Sequence, residues 1–224
     1  VHQVAALCDR VASALGAPFD LDGRSLSMSA SIGIVVGDDV HSPAELLRDA
    51  DVAMYRSKAD GRGRSTLFTE GLRAEAVERL EQEADLRVAL REGQLAVHYQ
   101  PVISCEDGSV HGVEALVRWH HPERGLLHPG DFLPAAERSG MVVDIGAFVL
   151  TTACRQLGAW QAQGRRLTVS INVSPRQLLD GNVVDQVLGE CTGAGADPGG
   201  LVLELTENAL IETLSSAGER LRPL

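Results

Sequence analysis

Two carboxylates, one amide and one guanidinium stand where covered strands should be apolar. Glu114, Leu116 and Arg118 share one face of segment 110–119, Asn172 lies opposite Ile171 and Val173 in 167–173, and Glu204 lies opposite Leu203 and Leu205 in 201–206. Burying an ionised carboxylate without a partner costs several kcal/mol or more, so these groups need a common partner. Oxygen ligands of this type suit a hard divalent cation such as magnesium, calcium or manganese. A simpler arrangement is also open. Glu114 could pair with Arg118 on its own strand face, Glu204 with another arginine, and Asn172 could cap a turn. Three separate strands that each offer one oxygen group favour the cation.

The elements that must position these groups are legible from periodicity. Strands are expected at 95–103, 110–119, 167–173 and 201–206. The first two are too close for a crossover and should form a hairpin. A helix is expected over 144–163, with Ile145, Phe148, Val149, Ala153, Leu157 and Trp160 as its inner stripe and Gly164 as its stop. Ser174-Pro175-Arg176-Gln177 has a capping serine and a glutamine three residues on, so a helix is expected next with Leu178, Val184, Val187 and Leu188. Strands separated by such helices point to a parallel sheet. In closed parallel barrels, active sites gather at the C-terminal ends of the strands.

Ahead of this region the pattern differs. Val4, Leu7, Val11 and Leu15 give a helix over 2–15. Asp22-Gly23 is a hairpin signal. Leu26, Met28, Ala30, Ile32, Ile34 and Val36 alternate with small or polar residues, which predicts a half-buried strand. Ser42-Pro43-Ala44-Glu45 opens a second helix that should run to about Ala59. Residues 70–92 are densely charged, with a narrow stripe of Val77, Leu80, Ala84 and Val88, and read as a connecting helix ended by Gly93. Its arginines read as a solvated face.

Composition narrows the class. In 224 residues, 44% are hydrophobic and 23% charged, which excludes disorder for the chain as a whole. The net charge of -11 argues against coating a nucleic-acid polymer. No apolar run is expected to span a membrane and no signal peptide opens the chain, so a cytoplasmic location is expected. The chain starts at Val1 and ends in an expected helix, so both ends read as cut. Cys8, Cys105, Cys154 and Cys191 form no C-x-x-C pair and read as free buried thiols. His120, His121 and His128 lack zinc-ligand spacing. Ser170 and Ser174 have no nearby histidine base. The lone lysine, Lys58, lies four residues before Arg62, and the two could share a helix-end face or simply be solvated.

Short motifs then reach a family. Tyr99-Gln100-Pro101, Glu114-Ala115-Leu116-Val117-Arg118-Trp119, His121-Pro122, Asn172-Val173-Ser174 and Glu204-Leu205-Thr206-Glu207 occur in this order. The chain from about residue 80 resembles the first half of an EAL domain, the cyclic-di-GMP phosphodiesterase family. Residues 1–68 resemble the C-terminal part of a GGDEF domain, the diguanylate cyclase family, through Ser31-Ile32-Gly33-Ile34, Asp49-Ala50-Asp51, Met54-Tyr55, Lys58 and Gly61-Arg62. The expected architecture is α/β: a partial, cyclase-like α+β domain at 1–69, a connecting helix at 70–93, and the first half of a TIM-barrel-like domain at 94–224.

The resemblance implies roles position by position. Glu114, Asn172 and Glu204 match metal ligands, for Mg2+ or Mn2+. Gln100 and Arg118 match residues lining the dinucleotide site, with Arg118 facing a phosphate. Glu207 matches a glutamate supporting the active-site loop. Lys58 and Arg62 match triphosphate contacts of the cyclase family, so GTP is an implied partner beside cyclic-di-GMP. The implied reaction is two-metal hydrolysis of the cyclic dinucleotide to linear pGpG. The water-activating residues of the family would lie beyond Leu224, so this chain alone is expected to be silent and poorly stable. Other readings stay open: a catalytically degenerate module that binds cyclic-di-GMP or GTP, cyclase activity in the parent, or a regulatory role through a parent homodimer.

Overall fold

The computed structural model describes residues 2–22, 24–37, 41–179 and 183–205. Two compact units divide the chain between Glu81 and Gln82. That division falls inside a 23-residue helix, Glu70–Glu92, within the segment expected to connect two domains.

The first unit opens with α1 (His2–Gly16), then an antiparallel hairpin of β1 (Phe19–Leu21) and β2 (Arg24–Leu26), with Asp22 in its turn. Next come β3 (Ile32–Ile34), α2 (Pro43–Ala59) and β4 (Ser65–Leu67), with β3 and β4 paired in parallel. Ser42 caps α2 as expected. Its N–H and hydroxyl both reach Glu45 Oε2 at 2.7 Å, and Glu45 N–H returns to Ser42 Oγ. Gly33 is required where α2 crosses β3, because a Cβ there would lie 1.9 Å from the Ala50 carbonyl oxygen.

Two expectations for this unit fail for one reason. The long alternating strand breaks up: residues 27–31 have no strand conformation, and Leu26, Met28 and Val36 are exposed. The α1 stripe of Val4, Leu7, Val11 and Leu15 is also exposed, while Ala12 is buried. Alternation and helical spacing mark apolar faces, but burying them needs a facing surface. Two separate strand pairs, with three residues in each strand, are too small to supply it.

The helix α3 (Glu70–Glu92) departs from its expected stripe too. Val77, Leu80 and Ala84 are not buried, and Leu86 and Ala89 are. Its first half is tied to α2 by ions. Arg73 bonds the buried Asp49 and stacks on Phe68, and Arg56 reaches both Asp60 at 2.8 Å and Glu75 at 2.7 Å. Its arginines are therefore not all solvated.

The second unit is a sheet with helices on one face. The strands are β5 (Leu95–Ile103), β6 (Val110–His121), β7 (Gly125–Leu127), β8 (Thr168–Val173) and β9 (Leu201–Leu205). Their order is β5-β6-β8-β9, and β7 pairs with β6. The β5–β6 hairpin is antiparallel, and β6–β8–β9 are parallel, as the crossover spacing requires. The helices are α4 (Pro129–Ser139), α5 (Val142–Ala162), α6 (Pro175–Leu179) and α7 (Val183–Ala194). Strand β7 and helix α4 fill a stretch with no element expected. After Ser174 the described helical residues are those of α6 and α7, and Leu188 is exposed on α7.

Alternate strand residues build one core. Val113, Ala115, Val117 and Trp119 of β6, with Val169, Ile171 and Val173 of β8, pack against Ile145, Val149, Ala153 and Leu157 of α5. Trp119 lies edge-on to Phe132 of α4, and its indole N–H donates to Gln94 Oε1 at 3.1 Å. By length and composition alone, α5 is long and apolar enough to cross a membrane, a test that a core helix also passes. Its apolar stripe is what covers the sheet. Cys154 of α5 and Cys191 of α7 are fully buried with their sulfurs 3.4 Å apart. Cys105 is exposed and Cys8 only partly covered, so two of the four thiols depart from the buried reading.

Candidate active site on the open face of the sheet

The pleat sends the remaining strand residues to the face away from the helices. Gln100 of β5 is in register with Glu114 of β6, and Glu114 with Ser170 of β8. One row further along, Asn172 of β8 is in register with Glu204 of β9. The sheet order therefore brings three groups, from three adjacent strands, onto one surface. Asn172 and Glu204 stand next to the last residues of two parallel strands.

The contact between the first two strands is direct. Asn172 Nδ2 donates to Glu114 Oε1 at 2.7 Å. The amide thereby holds one carboxylate oxygen and leaves its own oxygen as an acceptor. Glu204 has no hydrogen bond or ion pair among the described residues. The Glu114–Arg118 pairing left open by the sequence does not form. The Arg118 guanidinium instead donates to the Val117 carbonyl at 2.8 Å, on the same face as Glu114. Two carboxylates and an amide oxygen are hard donors, and their partial exposure admits an ion with its own waters, so the donor set fits a hard divalent cation. The described residues contain no cluster of three histidine, cysteine or acidic side chains that would offer a competing metal site.

A cavity of about 320 Å³ lies between the sheet and its helices, lined among others by Val117, Val173, Leu133, Ile145, Gly146 and Gln177, and it also touches Asn172. Leu133 comes from α4, which had no place in the sequence reading. Its signal was present: Pro129 opens the helix, and Asp131 accepts from His128 N–H at 2.8 Å. By spacing alone Ile145 is a core residue and Gln177 a capping one, and nothing in the sequence marks Gly146.

The other expected site residues fall elsewhere. Glu207 lies outside the described residues. Lys58 is exposed in the last turn of α2, and Arg62 lies beyond the helix end. Arg62 adopts the left-handed conformation at φ 61°, and its N–H bonds the Ser57 carbonyl at 3.1 Å. The two do not share a helix face, because α2 stops at Ala59 and the chain reverses hand through Gly61-Arg62-Gly63. His121, considered with His120 and His128 for zinc, is buried. Its Nδ1 accepts from the backbone of Glu123 and Arg124, so it organises the turn after β6.

Comparison with known proteins assigns the two segments to families. The EAL domain family matches residues 83–224, and the family described as diguanylate cyclase, GGDEF domain, matches residues 1–64. The chain is 40% identical, over all of its length and 29% of the relative's, to the cyclic di-GMP phosphodiesterase NbdA of Pseudomonas aeruginosa. It is 37% identical, over 96% of its length and 33% of the relative's, to the bifunctional diguanylate cyclase/cyclic di-GMP phosphodiesterase MucR of the same organism. It thus spans about three tenths of the length of these curated relatives. Among solved structures it resembles the PaMucR phosphodiesterase in complex with c-di-GMP, with a TM-score of 0.61 and 38% identity over 64% of this chain and 58% of that one.

Proposed function

The chain belongs to the EAL-domain family, behind a segment of the GGDEF family, and from that premise we propose that the protein carrying it is a divalent-metal-dependent cyclic-di-GMP phosphodiesterase. The observation that carries this reading is the Glu114–Asn172 contact on the open face, with Glu204 in register on the next strand. These three residues would hold Mg2+ or Mn2+. A cation of this kind neutralises charge at a phosphodiester and makes water a nucleophile at neutral pH.

The chain's own residues do the rest. The Asn172 amide fixes the rotamer of Glu114, so the carboxylate is presented in one orientation. Arg118, on the same face as Glu114, offers a planar fork suited to a phosphate of the dinucleotide. Gln100, in register with Glu114, offers an amide at the edge of the same surface. The net charge of -11 does not oppose an anionic ligand, because a bound cation reverses the local sign. In the first unit, the exposed Lys58 and Arg62 would contact nucleotide phosphate from a helix end and the loop after it.

The test is hydrolysis of cyclic-di-GMP by the intact protein, followed by chromatography of the linear product with Mg2+ or Mn2+ and with chelator. Turnover should require the metal and should fall by about a hundredfold or more in Glu114→Gln, which removes one charged ligand. Hydrolysis that persists in chelator, or in Glu114→Gln at the native rate, would overturn the assignment.

A further inference from the structure

We infer that Gln177 is a positioning residue for Asn172, acting from α6 through the backbone that leaves β8, and that Gly146 of α5 exists to admit it. The inference rests on the metal-site reading of Glu114, Asn172 and Glu204. Asn172 is followed at once by Val173 and Ser174, where the strand ends. Ser174 N–H donates to Gln177 Oε1 at 3.0 Å, and Gln177 N–H donates to Ser174 Oγ at 3.3 Å. This reciprocal clamp fixes the backbone two residues after Asn172. Asn172 itself meets Glu114 at 2.7 Å, so the direction of β8 at its end sets whether that contact forms.

The clamp depends on a third element. The Gln177 amide group lies directly over Gly146, in the second turn of α5. A Cβ at Gly146 would lie 2.0 Å from Gln177 Nε2, 2.5 Å from its Cδ and 2.7 Å from its Oε1. Any side chain at 146 must therefore displace the atom that holds Ser174. Gln177 and Gly146 also line the cavity between the sheet and its helices, so a displaced Gln177 side chain has open space into which to move. The linkage runs from α5, through Gln177 and Ser174, to Asn172 and Glu114. Only the acceptor oxygen of the Gln177 side chain is used within it.

Glutamate has the same length and offers the same acceptor, so Gln177→Glu should preserve the clamp, whereas Gln177→Leu and Gly146→Ala should break it. The readout is Mn2+ binding to the intact protein, measured by electron paramagnetic resonance without substrate, together with the metal dependence of turnover. Gln177→Leu and Gly146→Ala should weaken Mn2+ binding about tenfold, with Gln177→Glu close to native. At saturating Mn2+ the KM for cyclic-di-GMP should be unchanged in all three. Circular dichroism confirms that each variant is folded, and Gly146→Ala stands in if Gln177→Leu is not. Native Mn2+ affinity in both folded clamp-breaking variants, or equal loss in Gln177→Glu, would overturn the inference. Glu114→Gln serves as the separate control for the site: if it too binds Mn2+ as the native protein does, the metal-site reading fails, rather than the clamp alone.

Discussion

The Asn172 amide donates to Glu114 across the parallel β6–β8 pair at 2.7 Å. The contact joins residues 58 positions apart in sequence. A neutral donor at 172 satisfies one lone pair of the carboxylate without adding charge. Asn172→Asp should reverse this. Two carboxylates in contact repel by roughly 1–4 kcal/mol, depending on the local dielectric, unless a cation lies between them. The thermal midpoint of the metal-free variant should fall by several degrees and should recover when Mn2+ is added. A deficit that persists at saturating Mn2+ would show that no cation is shared there.

Phe132 is fully buried against Trp119, with ring centroids 5.7 Å apart and nearly perpendicular planes. Phe132→Ala should destabilise the second unit by about 3–5 kcal/mol, because α4 cannot collapse fully into the space left. Urea unfolding monitored by tryptophan fluorescence measures this. A loss under about 1 kcal/mol would mean that α4 is not part of the cooperative core.

The hydrogen bonds from the Ser42 side chain and backbone hold the Glu45 carboxyl below its ordinary value of 4.5. A depressed folded-state value favours the ionised carboxylate in the folded state. Its stabilisation is thus present above 4.5 and is lost as pH falls through the folded value. Glu45→Gln should lower the thermal midpoint at neutral pH, and the difference should close as pH falls below 4.5 and through the depressed folded-state value. A difference that is constant with pH would assign the effect to helix propensity instead of the cap.

Burial, followed by its contact with the Cys191 sulfur, pushes the Cys154 thiol up to about 12. The thiolate is the reactive form, so this thiol should be inert at neutral pH. Ellman's reagent should label Cys105 quickly and Cys8 more slowly in the native protein, and reach Cys154 and Cys191 only on unfolding. Labelling of Cys154 at the rate of Cys105 would contradict the packing of α5 on α7.

Features that depend on local physics are legible in the amino-acid sequence. The α5 stripe, the Ser42 and Ser174 caps, the β5–β6 hairpin and the polar positions Glu114, Asn172 and Glu204 all rest on residue type and spacing within one element or between two adjacent ones. Failures came where an apolar face had no surface to meet, as with Val4, Leu7 and Val11 of α1 or Val77 and Leu80 of α3. Periodicity marks a face without saying what covers it. The lysine and arginine at 58 and 62 failed differently, because a helix end and a left-handed residue separate groups that sequence spacing places together. It takes the folded chain to show that the amide of Asn172 meets Glu114, that Arg118 turns to its own strand's carbonyl, and that Gly146 makes room for Gln177. Those relationships depend on strand order, register and the approach of helix to sheet. All three are set by packing among residues far apart in the chain, and no single segment encodes them.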